Sequence, residues 1–150
     1  STKESSITSV LGSLSTQYIY EYAGVTGSGT TGKIINNNSE STFGLVIQKG
    51  DVLNFACDFD SGKIWYGKNG TFFNSGNPAT GANASQTFTP GGNTWFPTVM
   101  QRGTGGTNAT LNFGARAFTH AAPSGYKALC TANLPDPTIA DGSRAFDAKL

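Results

Sequence analysis

Charge is scarce in this chain. Asp, Glu, Lys and Arg make up 13% of its 150 residues and nearly cancel, leaving a formal net charge of +1. A chain that grips phosphate backbones carries a basic stripe; here Lys and Arg are scattered without a run. Nucleic acid and anionic membranes are therefore not expected partners. His120 is the only histidine, so a histidine metal cluster is excluded, and no metal or cofactor is expected. No glutamate follows Glu40, which thins the supply of general acids. No apolar run approaches the roughly 20 residues of a membrane helix, and no membrane insertion is expected. The opening STKESSITSV lacks the shape of a signal peptide; a removed signal or a longer parent chain is compatible with it. Heptads, long helical periodicity and internal repeats are also missing. Two cysteines, Cys57 and Cys130, permit one disulfide without arguing for it.

What remains suits an all-β domain. Gly occurs 20 times, aromatics reach 11% and apolar residues 37%, a composition of short strands and many turns. The length supports one domain with a real core. The clearest segment is Gly50–Gly70, GDVLNFACDFDSGKIWYGKNG. Leu53, Phe55, Cys57 and Phe59 alternate with Val52, Asn54, Ala56 and Asp58, the period of a strand with one buried face. Ser61-Gly62 signals a two-residue turn, and Asn69-Gly70 a stronger one, because a type I′ turn needs positive φ at both central positions. A tight Ser61-Gly62 hairpin sets Asp60 opposite Lys63, Phe59 opposite Ile64 and Cys57 opposite Tyr66. The expected core face is then Leu53, Phe55, Cys57, Phe59, Ile64 and Tyr66, with Asp58 outside, opposite Trp65.

Further strands are expected at 17–22, 33–36, 43–48, 87–89, 94–100 and 109–113, with a short apolar run at Ile7–Leu11. NNNSES reads as a turn region, 74–86 as a long polar loop, and 102–108 as a second glycine-rich loop after Gly24–Gly32. These glycine loops do not join a strand to a helix, so they are not phosphate cradles. The last 20 residues, with Pro135 and Pro137, read as a linker or as a strap over the body, docked by Ile139 and Phe146.

Asp58 and Asp60 form the best candidate catalytic pair, since residues i and i+2 of a strand share a face roughly 7 Å apart. Glycosidase carboxylates use similar separations. The competing reading makes them structural: Asp60 at the turn accepts main-chain N–H groups, and Gly62, Asn69 and Gly70 complete the turn set. DFDSG lacks the later ligands of a calcium loop, and His120 lies in a loop without a nucleophile elbow. Binding is better served by aromatics. Trp95 and Phe96 are adjacent in a strand, so one faces in and one out. Tyr18, Tyr20 and Tyr22 share a face. Arg102 precedes a glycine loop, where contact residues concentrate. Trp95, Phe96, Arg102, Tyr20 and Tyr22 are the candidate ligand contacts; the alternative for the aromatics is that core and strap cover them.

Taken together, these motifs resemble the SPRY family. Gly50-Asp51-Val52, Asp58–Ile64 and Lys68-Asn69-Gly70 resemble its central hairpins. Phe96-Pro97-Thr98-Val99 followed by Ala109–Gly114 resembles its closing strands, and Gly32-Lys33 through Phe43-Gly44 the segment before the hairpin. NPATG, FTPGG and ALCTANLP are similar to SPRY domains of bacteriophage virion proteins. The resemblance spans about 10–135. It departs at the start, where the family's first strands are absent or replaced by Ile7–Leu11 and 17–22.

The resemblance implies an all-β, bent antiparallel β-sandwich of the concanavalin-like jelly-roll type over 1–135. Residues 136–150 would lead to a following domain. It implies a binding module and no enzyme: an adhesion part of a tail fibre, receptor-binding or decoration protein at the virion surface, outside the cell. Its partners would be a host-surface glycan or protein, or neighbouring virion proteins, met as a homo-oligomer or as part of a longer chain. A purely structural virion component and a glucanase-like hydrolase are the alternatives. Fold alone does not choose among them.

Overall fold

The computed structural model describes residues 17–21, 32–91, 95, 97–99, 110–130 and 133. They form an all-β sandwich of two antiparallel sheets. The first sheet runs β1 (Ile19–Glu21), β2 (Lys33–Asn36), β3 (Ser39–Thr42). The second is built on β5 (Lys63–Lys68), flanked by β4 (Leu53–Asp58) on one side and by β6 (Thr71–Phe72) and β7 (Gln86–Thr87) on the other. Among the described residues there is no α-helix, and so none long and apolar enough to cross a membrane.

The central hairpin keeps its expected faces but changes register. Cys57 pairs with Ile64 and Phe55 with Tyr66, while Asp58 pairs with Lys63. The turn therefore holds four residues, Phe59–Gly62, and not two. The reason is Asp58. Its Oδ1 accepts the N–H groups of Asp60 and Ser61 at 3.0 and 3.1 Å, and its Oδ2 accepts the Ser61 hydroxyl at 2.5 Å. This self-capped bend begins one residue after the strand ends. Gly62 closes it at φ +66°, and a Cβ there would lie 2.0 Å from the Phe88 carbonyl oxygen. The slip is two residues, so alternation preserves which side chains face the core.

The two sheets meet through aromatic rings. Phe43, Ile64, Tyr66, Phe73 and Phe88 are buried, with Tyr18, Tyr20, Ile34, Ile47, Cys57 and Trp95 packed around them. Tyr20 of β1 stacks on Tyr66 of β5 with centroids 5.2 Å apart. The Tyr66 hydroxyl lies 3.1 Å from Gln86 Oε1 and 3.3 Å from the Tyr18 carbonyl oxygen, donating its one proton to either. Gln86 in turn donates to the Ile35 carbonyl. β1 thus meets β5 through Tyr20, and β2 meets β7 through Ile35.

Three members of the expected core are corrected. Leu53, Phe55 and Phe59 remain 42%, 56% and 50% exposed: β4 is the outermost described strand of its sheet, and Phe59 lies in the turn beyond it. The opposite face is also corrected. Trp65, expected outside, is completely buried. The loop after β6 folds back under it through two 3-10 turns, Phe73–Ser75 and Pro78–Thr80. The Ala82 carbonyl accepts the indole N–H at 2.8 Å, and Tyr126 meets the indole edge-on at 6.1 Å.

Several expected strands are absent. Residues 43–48 are irregular, since Gly44 turns the chain at φ +66° with Phe73 packed against its backbone. The strand forms earlier, at Ser39–Thr42, because Asn37 and Asn38 both adopt positive φ and close a tight hairpin. Trp95, Pro97–Val99 and Thr110–Phe113 are not in strands. The strand expected at 87–89 forms one residue earlier, as β7 at Gln86–Thr87, and the buried Ser85 extends its ladder. Ser85 N–H donates to the Ile64 carbonyl and its Oγ accepts the Tyr66 N–H at 3.0 Å.

Candidate binding surface

The Asn69-Gly70 turn organises one end of the sandwich. Both residues have positive φ, 51° and 84°, as the type I′ geometry demands. A Cβ on Gly70 would come 2.9 Å from His120 Nδ1, so the turn also needs glycine to admit the returning chain. The Asn69 amide reaches across to the start of β4. Its Oδ1 accepts the Val52 N–H at 2.8 Å, and its Nδ2 donates to Asp51 Oδ1 at 2.9 Å. Asp51 Oδ2 pairs with Lys68 Nζ at 2.6 Å and accepts the Gln48 N–H at 2.7 Å. Lys68 also donates to the Val46 carbonyl, and Asn54 Oδ1 accepts the Gly70 N–H. The Lys68 ammonium, then the Gln48 N–H and the Asn69 amide, hold the Asp51 carboxyl down at about 2. It is ionised at any ordinary pH.

Beside this frame lies an open depression of about 290 Å³ lined by Leu45, Lys68, Asn69, Thr71 and Phe73. Leu45 and Phe73 make its apolar surface; Lys68, Asn69 and Thr71 make its polar edge. The Tyr20 hydroxyl donates to the Leu45 carbonyl, which fixes the backbone of that wall while its side chain stays 54% exposed. Burial raises the Tyr20 phenol to about 12, so it remains a donor. A depression of this size, apolar beneath with polar groups at the rim, suits one sugar ring or one side chain of a protein partner.

The sequence-selected residues scatter. Tyr20 lies between the sheets and not at a rim. Trp95 is half-buried, packed on Phe88 at 4.7 Å and on Tyr18 at 5.7 Å. Tyr22, Phe96 and Arg102 lie outside the described residues, as do Ile7–Leu11, most of both glycine loops, and Ile139 and Phe146 of the strap. Asn69 and Gly70 stand at the candidate surface; Gly62 and Asp60 lie in the β4–β5 turn, at the other end of β5. Leu45, Lys68, Thr71 and Phe73 were not selected from sequence. The one signal for Lys68, Thr71 and Phe73 was their nearness to the Asn-Gly turn; Leu45 carried none.

Asp58 and Asp60 do not form the expected strand pair. Asp60 lies in the turn, and Asp58, not Asp60, accepts the main-chain N–H groups. Those bonds, led by the Ser61 hydroxyl, lower the Asp58 carboxyl, the direction opposite to that required of a general acid. Cys57 and Cys130 are free thiols. Burial, and then the Asp58 charge, push Cys57 up to about 11. Among the described residues no group of three His, Cys, Asp or Glu side chains could hold a metal ion. Comparison with family models, with curated proteins and with solved structures finds no match for this chain.

Proposed function

We propose that this chain is a non-catalytic binding module of a virion surface protein, recognising a host-surface glycan or protein through the Leu45–Phe73 depression. The observation that carries the binding role is the frame beneath that depression. Asp51, Lys68 and Asn69 hold one another and the adjoining backbone in place, so a ligand would meet a surface that needs no rearrangement, and binding would cost little ordering entropy. The virion setting rests on the resemblance of NPATG, FTPGG and ALCTANLP to phage SPRY domains. A small contact of this kind is weak alone, and display in many copies would multiply it.

The test is binding of a multivalent, labelled chain to a glycan array and to candidate host cells. Thr71→Arg fills the depression and Leu45→Ala strips its wall; both side chains are exposed, so folding should survive. Saturable binding lost in these variants supports the module. A purely structural virion role draws on the half-exposed row Leu53, Phe55 and Phe59, which suits packing. It gains if the folded multivalent chain binds nothing.

A further inference from the structure

One dipeptide in the β5–β6 turn carries chemistry that binding does not use. Asn69-Gly70 is the one Asn-Gly pair of the chain. A glycine nitrogen has no neighbouring Cβ to shield it, and it can attack the side-chain carbonyl carbon of the asparagine before it. The bond from Gly70 N to Asn69 Cγ forms, the Cγ–Nδ2 bond breaks, and the Gly70 amide proton leaves with Nδ2 as ammonia. Water then opens the succinimide at either carbonyl, giving aspartate or isoaspartate. The attack needs nitrogen and Cγ in reacting contact, with the nitrogen's proton free to depart.

The fold opposes both conditions. Gly70 N–H donates to Asn54 Oδ1 at 2.7 Å, which holds the proton. The Asn69 carboxamide is anchored at both ends: Oδ1 accepts the Val52 N–H at 2.8 Å, and Nδ2 donates to Asp51 Oδ1 at 2.9 Å. The Asn69 N–H donates to the Val52 carbonyl, fixing its main chain as well. Nucleophile and electrophile are thus held by separate partners, and these bonds must break before the two can meet. We propose that Asn69 is a latent modification site, a deamidation centre that Asn54, Val52 and Asp51 hold shut, and that it converts in molecules whose β5–β6 turn has opened. Conversion is one-way, because the ammonia is lost. A carboxylate at position 69 has no N–H for Asp51 Oδ1 and sets like charge against it. Isoaspartate adds a methylene to the main chain of a turn whose flanks, Lys68 and Thr71, are paired. Lys68 and Asn69 also line the Leu45–Phe73 depression, so the lesion would fall on it. The chemistry itself stands whether or not that depression binds a ligand.

The full chain is incubated at mildly alkaline pH, native and in urea, and peptide mapping follows aspartate and isoaspartate at position 69. Asn38-Ser39, in the β2–β3 turn, is the internal reference for global unfolding. Asn69 should convert about tenfold or more faster in urea than in the native chain. Equal rates, or no conversion in urea, overturn the proposal. Asn54→Ala frees the Gly70 proton, and Asp51→Ala frees one end of the carboxamide. Each should raise the native rate at Asn69 about threefold or more, with Asn38 and the rates in urea unchanged. A native rate unmoved in both variants, or rising in step with Asn38, shows that these contacts are not the lock and overturns it. Asn69→Asp reproduces one product directly. Its urea midpoint should fall below that of wild type; an unchanged midpoint overturns the claim that the product cannot rebuild the turn.

Discussion

Trp65 donates its indole N–H to the carbonyl of Ala82 at 2.8 Å, from a strand position whose side chain is wholly enclosed. The bond ties the centre of β5 to a loop that carries few apolar residues of its own. Trp65→Ala should cost about 3–5 kcal/mol, the range for emptying a large core site. Trp65→Phe keeps much of the packing and strands the Ala82 acceptor. It should cost less in urea unfolding, and amide exchange should quicken in residues 76–85 first. Equal protection in that loop would show that the tryptophan does not anchor it.

Ser85 acts as a strand residue through its side chain. Ser85→Ala leaves the buried Tyr66 N–H without its acceptor, at about 1–3 kcal/mol. Ser85→Thr retains the oxygen and should recover much of that loss. Equilibrium unfolding of the two variants checks this; equal costs would point to packing in place of the hydrogen bond.

Gly62 answers two demands at once. Gly62→Ala meets both the positive φ and the Phe88 carbonyl oxygen at 2.0 Å. The conformational part alone is about 1–2 kcal/mol, and the contact must move Phe88, on which Trp95 and Tyr18 pack. The near-ultraviolet circular dichroism of these rings should therefore change. Gly50→Ala, also at positive φ but with open space around it, should show the conformational cost without the spectral change.

Acid should loosen the Asn69 end. The folded Asp51 carboxyl sits at about 2, below its ordinary 3.8, so its contribution is present above the ordinary value. It is lost as pH falls through 3.8 toward about 2. Asp58 is lowered as well and acts in the same sense. Asp51→Asn should flatten the acid limb of the stability profile relative to wild type. An unchanged slope between pH 4 and 2 would show that the carboxylate adds nothing to folding.

The Cys57 thiol, pushed up to about 11, holds only about one part in a thousand as thiolate at pH 8. In Cys130→Ser, alkylation should be slow in the folded chain and fast in denaturant. Fast labelling of the folded protein would contradict its environment.

The hairpins were legible because alternation and turn chemistry are local. Asn69-Gly70 forms as the dipeptide requires, and β4 and β5 present the faces their period assigns. The register was not legible, since Asp58 and Asp60 carry the same side chain and only one of them bends the chain. Nor was the burial of Trp65. A period of two names the face and not what covers it, and here the cover includes Tyr126, far along the sequence. β3 was missed because Ser39–Thr42 is entirely polar and exposed; it is a strand by pairing and not by propensity. At the candidate surface, Leu45 and Thr71 belong to irregular or very short segments, where no periodicity exists to single them out.

The order of the sheets along the chain has a consequence for biosynthesis. β1, β2 and β3 are complete by Thr42, but the rings that cover them, Tyr66, Phe73 and Phe88, are translated later. A ribosome thus releases the first sheet with Tyr18, Tyr20 and Ile34 uncovered. The β4–β5–β6 hairpins, by contrast, can close as they emerge, because their contacts are local. The second sheet is then the template on which the first is gathered, and pauses in synthesis between Thr42 and Phe88 would fall in the interval when the nascent chain most needs a chaperone.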